Sequence, residues 1–320
     1  MSKKIFITDF VDETILNEYS KKFDIIYSPS INYEALKSCI NDVYILIIST
    51  RLSIKKDLLD LANNLKLIIR MGIGIDHIDL KECEKKDILV CNTPNSNISS
   101  VVELIFGQII RTYRELDFAN INTLNKKFRE NIELGIELKN KTIGIIGVGR
   151  IGSFVAEVAK VFKMTTIGYD PYLSVEEKKI KKIDQWVDRM DVIPELSDIV
   201  TIHTPLTEET LYFITDDFLD KMKENSIFIN TARGKIVRID SLIKIAKKGK
   251  IRKIIVDVFE DEPFKGDIPL DLQKYFYLSP HMGAYTKESL TNRTKEAFIE
   301  MEDFLNNKKP HGLIDFKKGY

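Results

Sequence analysis

A G-x-G-x-x-G run, Gly147-Val148-Gly149-Arg150-Ile151-Gly152, stands directly between a β-branched apolar stretch, Thr142–Ile146, and a helical one, Phe154–Phe162. In that setting each glycine has its own reason. The first permits a tight turn, the second lets a pyrophosphate approach the backbone, and the third lets helix and strand pack closely. The helix that begins there offers unbonded N–H groups and the positive end of its dipole to an anion. A lone glycine motif is weak evidence, since tight structural turns use glycine too. Here a second strand follows and ends at Tyr169-Asp170-Pro171, placing Asp170 about 20 residues on, where a carboxylate holds adenosine ribose hydroxyls. A carboxylate there repels a 2′-phosphate, so the reading favours NAD over NADP.

The same alternation runs through most of the 320 residues, a length that makes two domains the first expectation and one large barrel the alternative. Short apolar runs separated by amphipathic ones are the pattern of parallel sheets crossed by helices. In the first hundred residues the expected strands are Lys4–Asp9, Asp24–Tyr27, Val43–Ile48, Leu67–Arg70 and Ile88–Cys91, with helical patterns such as Asp57–Ala62 between them. A second series comprises Thr142–Gly147, Thr165–Tyr169, Ile199–His203, Ser226–Asn230, Ile254–Val258 and Tyr275–Leu278. Between the series, Ser99–Asp117 reads as one long helix, and Phe118–Leu138 is polar with irregular apolar spacing. The last helical pattern, Lys287–Asn306, has no strand after it and is expected to return to the first unit.

Lys+Arg and Asp+Glu both number 48, so there is no basic excess to suggest a nucleic-acid or membrane partner. The lysine-rich Lys178–Lys182 reads as the solvated face of a surface helix. No apolar run approaches the roughly 20 residues of a spanning helix, and Met1–Asp9 lacks an export signal, so the cytoplasm is the expected compartment. Cys39, Cys83 and Cys91 are odd in number and lie outside any ligand spacing; neither disulfides nor a metal site is expected.

Three strand-end segments of the second unit each deliver one polar group of a different type. They are Asn230-Thr231-Ala232-Arg233-Gly234, Asp257-Val258-Phe259-Glu260-Asp261-Glu262-Pro263 and Ser279-Pro280-His281-Met282-Gly283. Ligands of parallel sheets collect outside the carboxyl ends of strands, so an Arg, a Glu and a His gathered there are able to bind a carboxylate, orient an imidazole and move a proton. Taken singly, His281 after a proline is an ordinary turn residue, Arg233 an ordinary surface charge, and Glu260 to Glu262 a solvated acidic run. Arg51 follows a strand of the first unit and receives no role.

In this order the motifs resemble the D-isomer-specific 2-hydroxyacid dehydrogenase family. The resemblance extends to Arg70-Met71-Gly72-Ile73-Gly74-Ile75-Asp76, Asn92-Thr93-Pro94-Asn95-Ser96-Asn97 and Ser197–Thr207. It implies an α/β chain of two doubly wound parallel-sheet domains with a cleft between them. A flavodoxin-like substrate domain would be built from 1–98 plus 288–320, and a Rossmann NAD-binding domain from 99–287. It implies Arg233, Glu262 and His281 as the catalytic set, and Asp257 as acceptor for the nicotinamide amide. Arg150 and Ile151 would lie at the phosphates, Thr204 on the adenine side, and Thr231, Ala232, Arg233 and His281 near the nicotinamide. The turn Gly72-Ile73-Gly74, with Arg233 and His281, would hold the substrate through backbone N–H groups and side chains. A hydrogen-bonded Glu262 would favour the imidazolium of His281.

The activity implied is hydride transfer between NAD and a small D-2-hydroxy acid or 2-oxo acid pair. Pro94-Asn95-Ser96-Asn97 looks closer to the phosphoglycerate and hydroxypyruvate or glyoxylate types than to D-lactate enzymes. The resemblance also covers NAD(H)-sensing co-repressor scaffolds, which are the alternative of another class; these usually carry extra tails, and an appended regulatory domain is not expected here. It further implies a homodimer built on Ser99–Asp117 and the segment to Leu138.

Overall fold

The computed structural model describes residues 3–316, which form two compact units: 3–97 with 285–316, and 98–284. The divisions fall at 97/98 and 284/285 because a helix begins at Ile98 and because Thr286 caps the helix Lys287–Leu305 with its side chain. Residues 1–2 and 317–320, included in the expected first domain, lie outside the described residues.

The first unit holds five strands: β1 (Ile5–Ile7), β2 (Ile25–Tyr27), β3 (Ile45–Ile48), β4 (Leu67–Arg70) and β5 (Leu89–Asn92). All pair in parallel in the order β2-β1-β3-β4-β5, the flavodoxin-like order. Successive residues face opposite sides and both sides are buried, which is why these strands are almost wholly apolar. Phe6, Leu46, Ile48, Ile68 and Val90 fill one face. Ile5, Ile7, Ile45, Ile47, Leu67 and Ile69 fill the other, against Ala297, Phe298 and Met301 of the returning helix. Phe298 stacks on Tyr19 with ring centroids 4.3 Å apart, and Asp12 N–H donates to Thr294 Oγ1 at 3.0 Å.

The second unit holds β6 (Thr142–Ile146), β7 (Thr165–Tyr169), β8 (Gln185–Trp186), β9 (Ile199–Ile202), β10 (Ile227–Asn230), β11 (Lys253–Val256) and β12 (Phe276–Leu278). Its parallel order is β12-β11-β10-β9-β6-β7-β8, with the reversal of direction at β6 and β9. The helices Ile98–Tyr113 and Arg150–Val161 cover one face with Val102, Ile105, Val155 and Ala159. Phe218, Leu242 and Ile245 cover the other.

Three local expectations change. The helix expected to reach Asp117 stops at Tyr113, because Glu115 adopts a left-handed φ of +47°, and a second helix, Leu116–Leu124, occupies part of the stretch read as irregular. The lysine-rich segment is helical only through Lys179: the helix Val175–Lys179 opens with a capping box of Ser174 and Glu177 and is capped at Ile180. The two-residue β8 was not expected at all, being too short to show an apolar period. No helix among the described residues is long and apolar enough to cross a membrane.

Candidate active site

Every strand of the second sheet runs the same way, so the loops after β6, β7, β9, β10, β11 and β12 leave from one edge. After β6 the three glycines behave as their chemistry requires. Gly147 has φ +87°, and a Cβ there would lie 2.8 Å from the His203 backbone. A Cβ on Gly152 would lie 2.1 Å from Gly147 O, so the helix could not sit this close to the turn. At Gly149 a Cβ would meet nothing within 4 Å. Gly149 also caps the helix Arg150–Val161 with no side chain, leaving the first N–H groups for an incoming anion.

Asp170, just past β7, is fixed by two backbone donors: Val148 N–H at 2.9 Å to Oδ2 and Tyr172 N–H at 3.1 Å to Oδ1. The first of these ties the carboxylate to the glycine turn itself. Arg150 is exposed and Ile151 half-buried at the start of the helix. In the loops after β9 and β10, the hydroxyls of Thr204 and Thr231 are sealed from solvent without a hydrogen-bond partner among the described residues. Thr204 lies against the glycine turn, since a Cβ on Gly147 would come 3.0 Å from its Cγ2. An open space at Gly149, an uncapped helix start, a fixed carboxylate and two unmet hydroxyls all fit a dinucleotide. His203, whose Nε2 lies 3.0 Å from Thr201 Oγ1, is held neutral by burial, which pushes its imidazole down to about 3.

The exits of β10, β11 and β12 lie side by side and carry Arg233, Glu262 and His281. His281 Nδ1 lies 2.7 Å from Glu262 Oε2, and the other carboxylate oxygen accepts from Phe259 N–H at 3.1 Å. Burial raises the Glu262 pKa, but the hydrogen bond and charge of His281, the Phe259 N–H and the charge of Arg233 together pull it below the usual range. The ring nitrogen Nε2 of His281 makes no hydrogen bond to a described residue and is the one left to meet a ligand. His281 takes a left-handed φ of +52°, uncommon outside glycine and costing about 1–2 kcal/mol, so the loop must be held by other contacts.

Asp257 supplies them. It is 1% exposed, accepts from Met282 N–H at 2.9 Å and Gly283 N–H at 2.8 Å, and takes the Ser279 hydroxyl as well. Its backbone carbonyl accepts from His281 N–H at 2.7 Å. The residue expected to face a nicotinamide amide is thus first the anchor of the His281 loop. On the neighbouring strand Asn230, fully buried, accepts from Ala232 N–H at 3.0 Å and donates to Arg233 O at 2.9 Å, bracing the turn that presents Arg233. Neither bracing role was read from the sequence, although a buried-type strand ending in Asn or Asp before a turn is the available signal. Gly234 lets this turn touch the next, since a Cβ there would fall 1.9 Å from the Phe259 carbonyl carbon. Of the acidic run, Glu260 is bound to Tyr212 OH at 2.7 Å and Ile239 N–H at 3.2 Å, which leaves Glu262 as the partner of the histidine.

In the first unit, the turn after β4 departs from expectation at one residue. Gly72 has φ +127° and its N–H donates to Thr93 Oγ1 at 2.5 Å, so that N–H already has an acceptor. That φ, which strains any side chain, explains the glycine, and the end of the Arg70 side chain passes where a Cβ would stand. Ile73 and Gly74 remain as the backbone donors of the turn. Arg51 is paired with Asp9 at 3.5 Å. Among the described residues no group of His, Cys, Asp and Glu is arranged to hold a metal.

The NAD-binding domain of the D-isomer-specific 2-hydroxyacid dehydrogenases matches residues 106–283. A D-3-phosphoglycerate dehydrogenase of Methanocaldococcus jannaschii is 34% identical over 286 residues, covering 89% of this chain and 54% of that protein. A hydroxypyruvate reductase of Thermotoga maritima is 32% identical over 289 residues, covering 89% of this chain and 93% of that protein. Among solved structures, a D-lactate dehydrogenase of Aquifex aeolicus complexed with NAD and lactic acid superposes with a TM-score of 0.82 at 28% identity, covering 95% of this chain and 96% of that one. The chain belongs to the D-isomer-specific 2-hydroxyacid dehydrogenase family, and its second unit is that family's NAD-binding domain. It spans about half the length of the curated phosphoglycerate dehydrogenases it matches.

The fixed Asp170 carboxylate carries an expectation about cofactor choice. Asp170→Ala should lower the preference for NADH over NADPH about tenfold or more, the equivalent of roughly 1.4 kcal/mol, measured as the ratio of dissociation constants by fluorescence titration. An unchanged ratio would remove Asp170 from ribose recognition.

Proposed function

We propose that this chain is an NAD-dependent oxidoreductase that interconverts a small D-2-hydroxy acid and its 2-oxo acid, of the phosphoglycerate or hydroxypyruvate/glyoxylate type. The observation that carries this reading is the 2.7 Å pair of His281 Nδ1 and Glu262 Oε2, with the charge of Arg233 acting on the same carboxylate. Bound NADH supplies the hydride. Arg233 holds the substrate carboxylate and keto oxygen in charge-assisted hydrogen bonds, its planar fork fixing the carbon to be reduced. His281 donates a proton from Nε2 to the keto oxygen in reduction and recovers it from the alcohol in oxidation. Glu262 stays ionised and holds the imidazole in one orientation through Nδ1. Arg150, Ile151, Thr204, Thr231, Ala232 and Asp257 line the dinucleotide, and the N–H groups of Ile73 and Gly74 assist at the substrate carboxylate.

The chain is further proposed to act as a homodimer in the cytoplasm. Phe118, Ile121 and Leu124 lie three residues apart on one face of the helix Leu116–Leu124 and are 40%, 52% and 75% exposed, with Phe128 and Leu134 more open still. An apolar face of that kind supports burial against a second copy. All three cysteines are unpaired, which suits a reducing compartment.

Purified protein mixed with NADH and a panel of 2-oxo acids (hydroxypyruvate, glyoxylate, phosphohydroxypyruvate, pyruvate, branched and aromatic acids) should oxidise NADH rapidly with at least one. Binding of NADH without turnover of any would overturn the enzyme reading. His281→Ala should depress kcat by about 10² to 10⁴ while leaving NADH affinity nearly unchanged; near-normal turnover would reject its role. Glu262→Gln keeps the shape but removes the ionised acceptor that holds the ring through Nδ1. With that change kcat should fall about tenfold or more with NADH affinity nearly unchanged; unaltered turnover would remove Glu262 from this role. Light scattering should give twice the chain mass, and Ile121→Lys should shift it toward the monomer, whereas a monomeric wild type would reject the dimer.

A further inference from the structure

In the five-stranded sheet the connections turn one way from β1 to β2 and the other way from β3 onward, so the topological switch point lies between β1 and β3. Open parallel sheets take their ligands in the crevice outside the carboxyl ends at such a point. Asp9 follows β1 there, and Arg51 follows β3 with its Nε 3.5 Å from Asp9 Oδ1. The carboxylate is otherwise met by Ser49 N–H at 2.9 Å and Thr8 Oγ1 at 3.1 Å, both on Oδ2. Arg51 also donates to Ile31 O at 2.5 Å and to Thr8 O. One acid and one base satisfy each other.

A second guanidinium comes from the helix Lys287–Leu305, whose Thr291 and Thr294, on either side of Arg293, hydrogen-bond Asp12 in the loop after β1 at 2.6 and 3.0 Å. Arg293 is half-buried; burial pulls its guanidinium below the usual arginine range, and Asp9 is the charge that opposes the shift. Its Nε is sealed from solvent without an acceptor among the described residues. An arginine stays charged at neutral pH, and a buried charged donor without a partner is costly. Asp9 is already paired with Arg51, and among the described residues Arg293 Nε has no acceptor.

We propose that Arg293 receives a second anionic group of the substrate, a phosphate ester or a second carboxylate, so that the favoured substrate is a 2-oxo acid charged at both ends. The identity of the ligand as substrate rests on the dehydrogenase reading above. Strand β3 separates β1 from β4, and neighbouring strands lie about 4.8 Å apart, which puts the crevice roughly 7 Å from the turn after β4. A three- or four-carbon acid with a charge at each end spans such a gap. If Arg293 served only to balance Asp9, its removal would uncover that carboxylate; with Arg51 and Ser49 already on Asp9, Arg293→Met should leave the melting temperature unchanged or raise it.

The test compares wild type and Arg293→Met on acids charged at both ends (phosphohydroxypyruvate, oxaloacetate) and at one end (hydroxypyruvate, glyoxylate). For the doubly charged acid the wild type prefers, kcat/KM should fall about 10- to 100-fold, mainly through KM, and at least tenfold more than for the singly charged acids. Arg293→Lys should restore part of the loss. Which doubly charged acid suffers distinguishes phosphate from carboxylate. Equal losses on both classes, or none, would overturn the proposal. If no acid is turned over at all, the dehydrogenase reading falls, and thermal-shift titration with inorganic phosphate judges the anion site alone. Stabilisation of wild type but not of Arg293→Met upholds the site, and equal behaviour of the two rejects it.

Discussion

A parallel sheet sends every strand's exit to the same edge, and the chemistry of the second unit depends on that one constraint. Residues from six loops, as far apart in sequence as Gly147 and His281, are placed along a single rim by nothing more than shared strand direction. The strands are buried on both faces, so charged side chains stay out of their interiors, which hold hydroxyls such as Thr166 and Thr201 at most, and gather where the strands end. Asn230 and Asp257 sit at these ends with no exposure to speak of, and each spends its hydrogen-bonding capacity on the loop that follows. The scaffold therefore reaches the site through two buried polar residues rather than through the loops' own stiffness.

The electrostatics of Glu262 show two opposing effects with a clear winner. Desolvation favours the neutral acid, yet the imidazole, a backbone N–H and a nearby guanidinium all favour the anion, and the anion prevails. His203, two residues beyond a buried threonine, has no such company, and burial alone keeps it neutral. Of these two histidines of one domain, one is hydrogen-bonded to a carboxylate and the other is not.

The strands and the glycine turn were legible in the sequence, since doubly buried parallel strands read as short β-branched runs and the glycines have local reasons. Strand ends shifted by a residue or two, as at Ile254–Val258 against the observed Lys253–Val256, because apolar residues continue into the loop. The helix Leu116–Leu124 was missed because Asn122 is its buried residue while Phe118 and Ile121 face outward, inverting the usual amphipathic signal. Arg233, Glu262 and His281 could be picked out as strand-end residues, but their roles came with the family resemblance. The use of the Gly72 N–H by Thr93 was not readable, for it joins residues 21 positions apart through a hydroxyl that many turns carry unused.

The two crossings, at 97/98 and 284/285, make the second unit an insertion within the first. During synthesis the first five strands emerge early, but the face formed by Ile5, Ile45 and Leu67 stays without Ala297, Phe298 and Met301 until the last helix has been made. Residues 98–284 have all their own strands by then and can fold as a unit. The order of assembly is therefore from the inside outward: the nucleotide domain closes first, and the domain that starts the chain is the last to be finished.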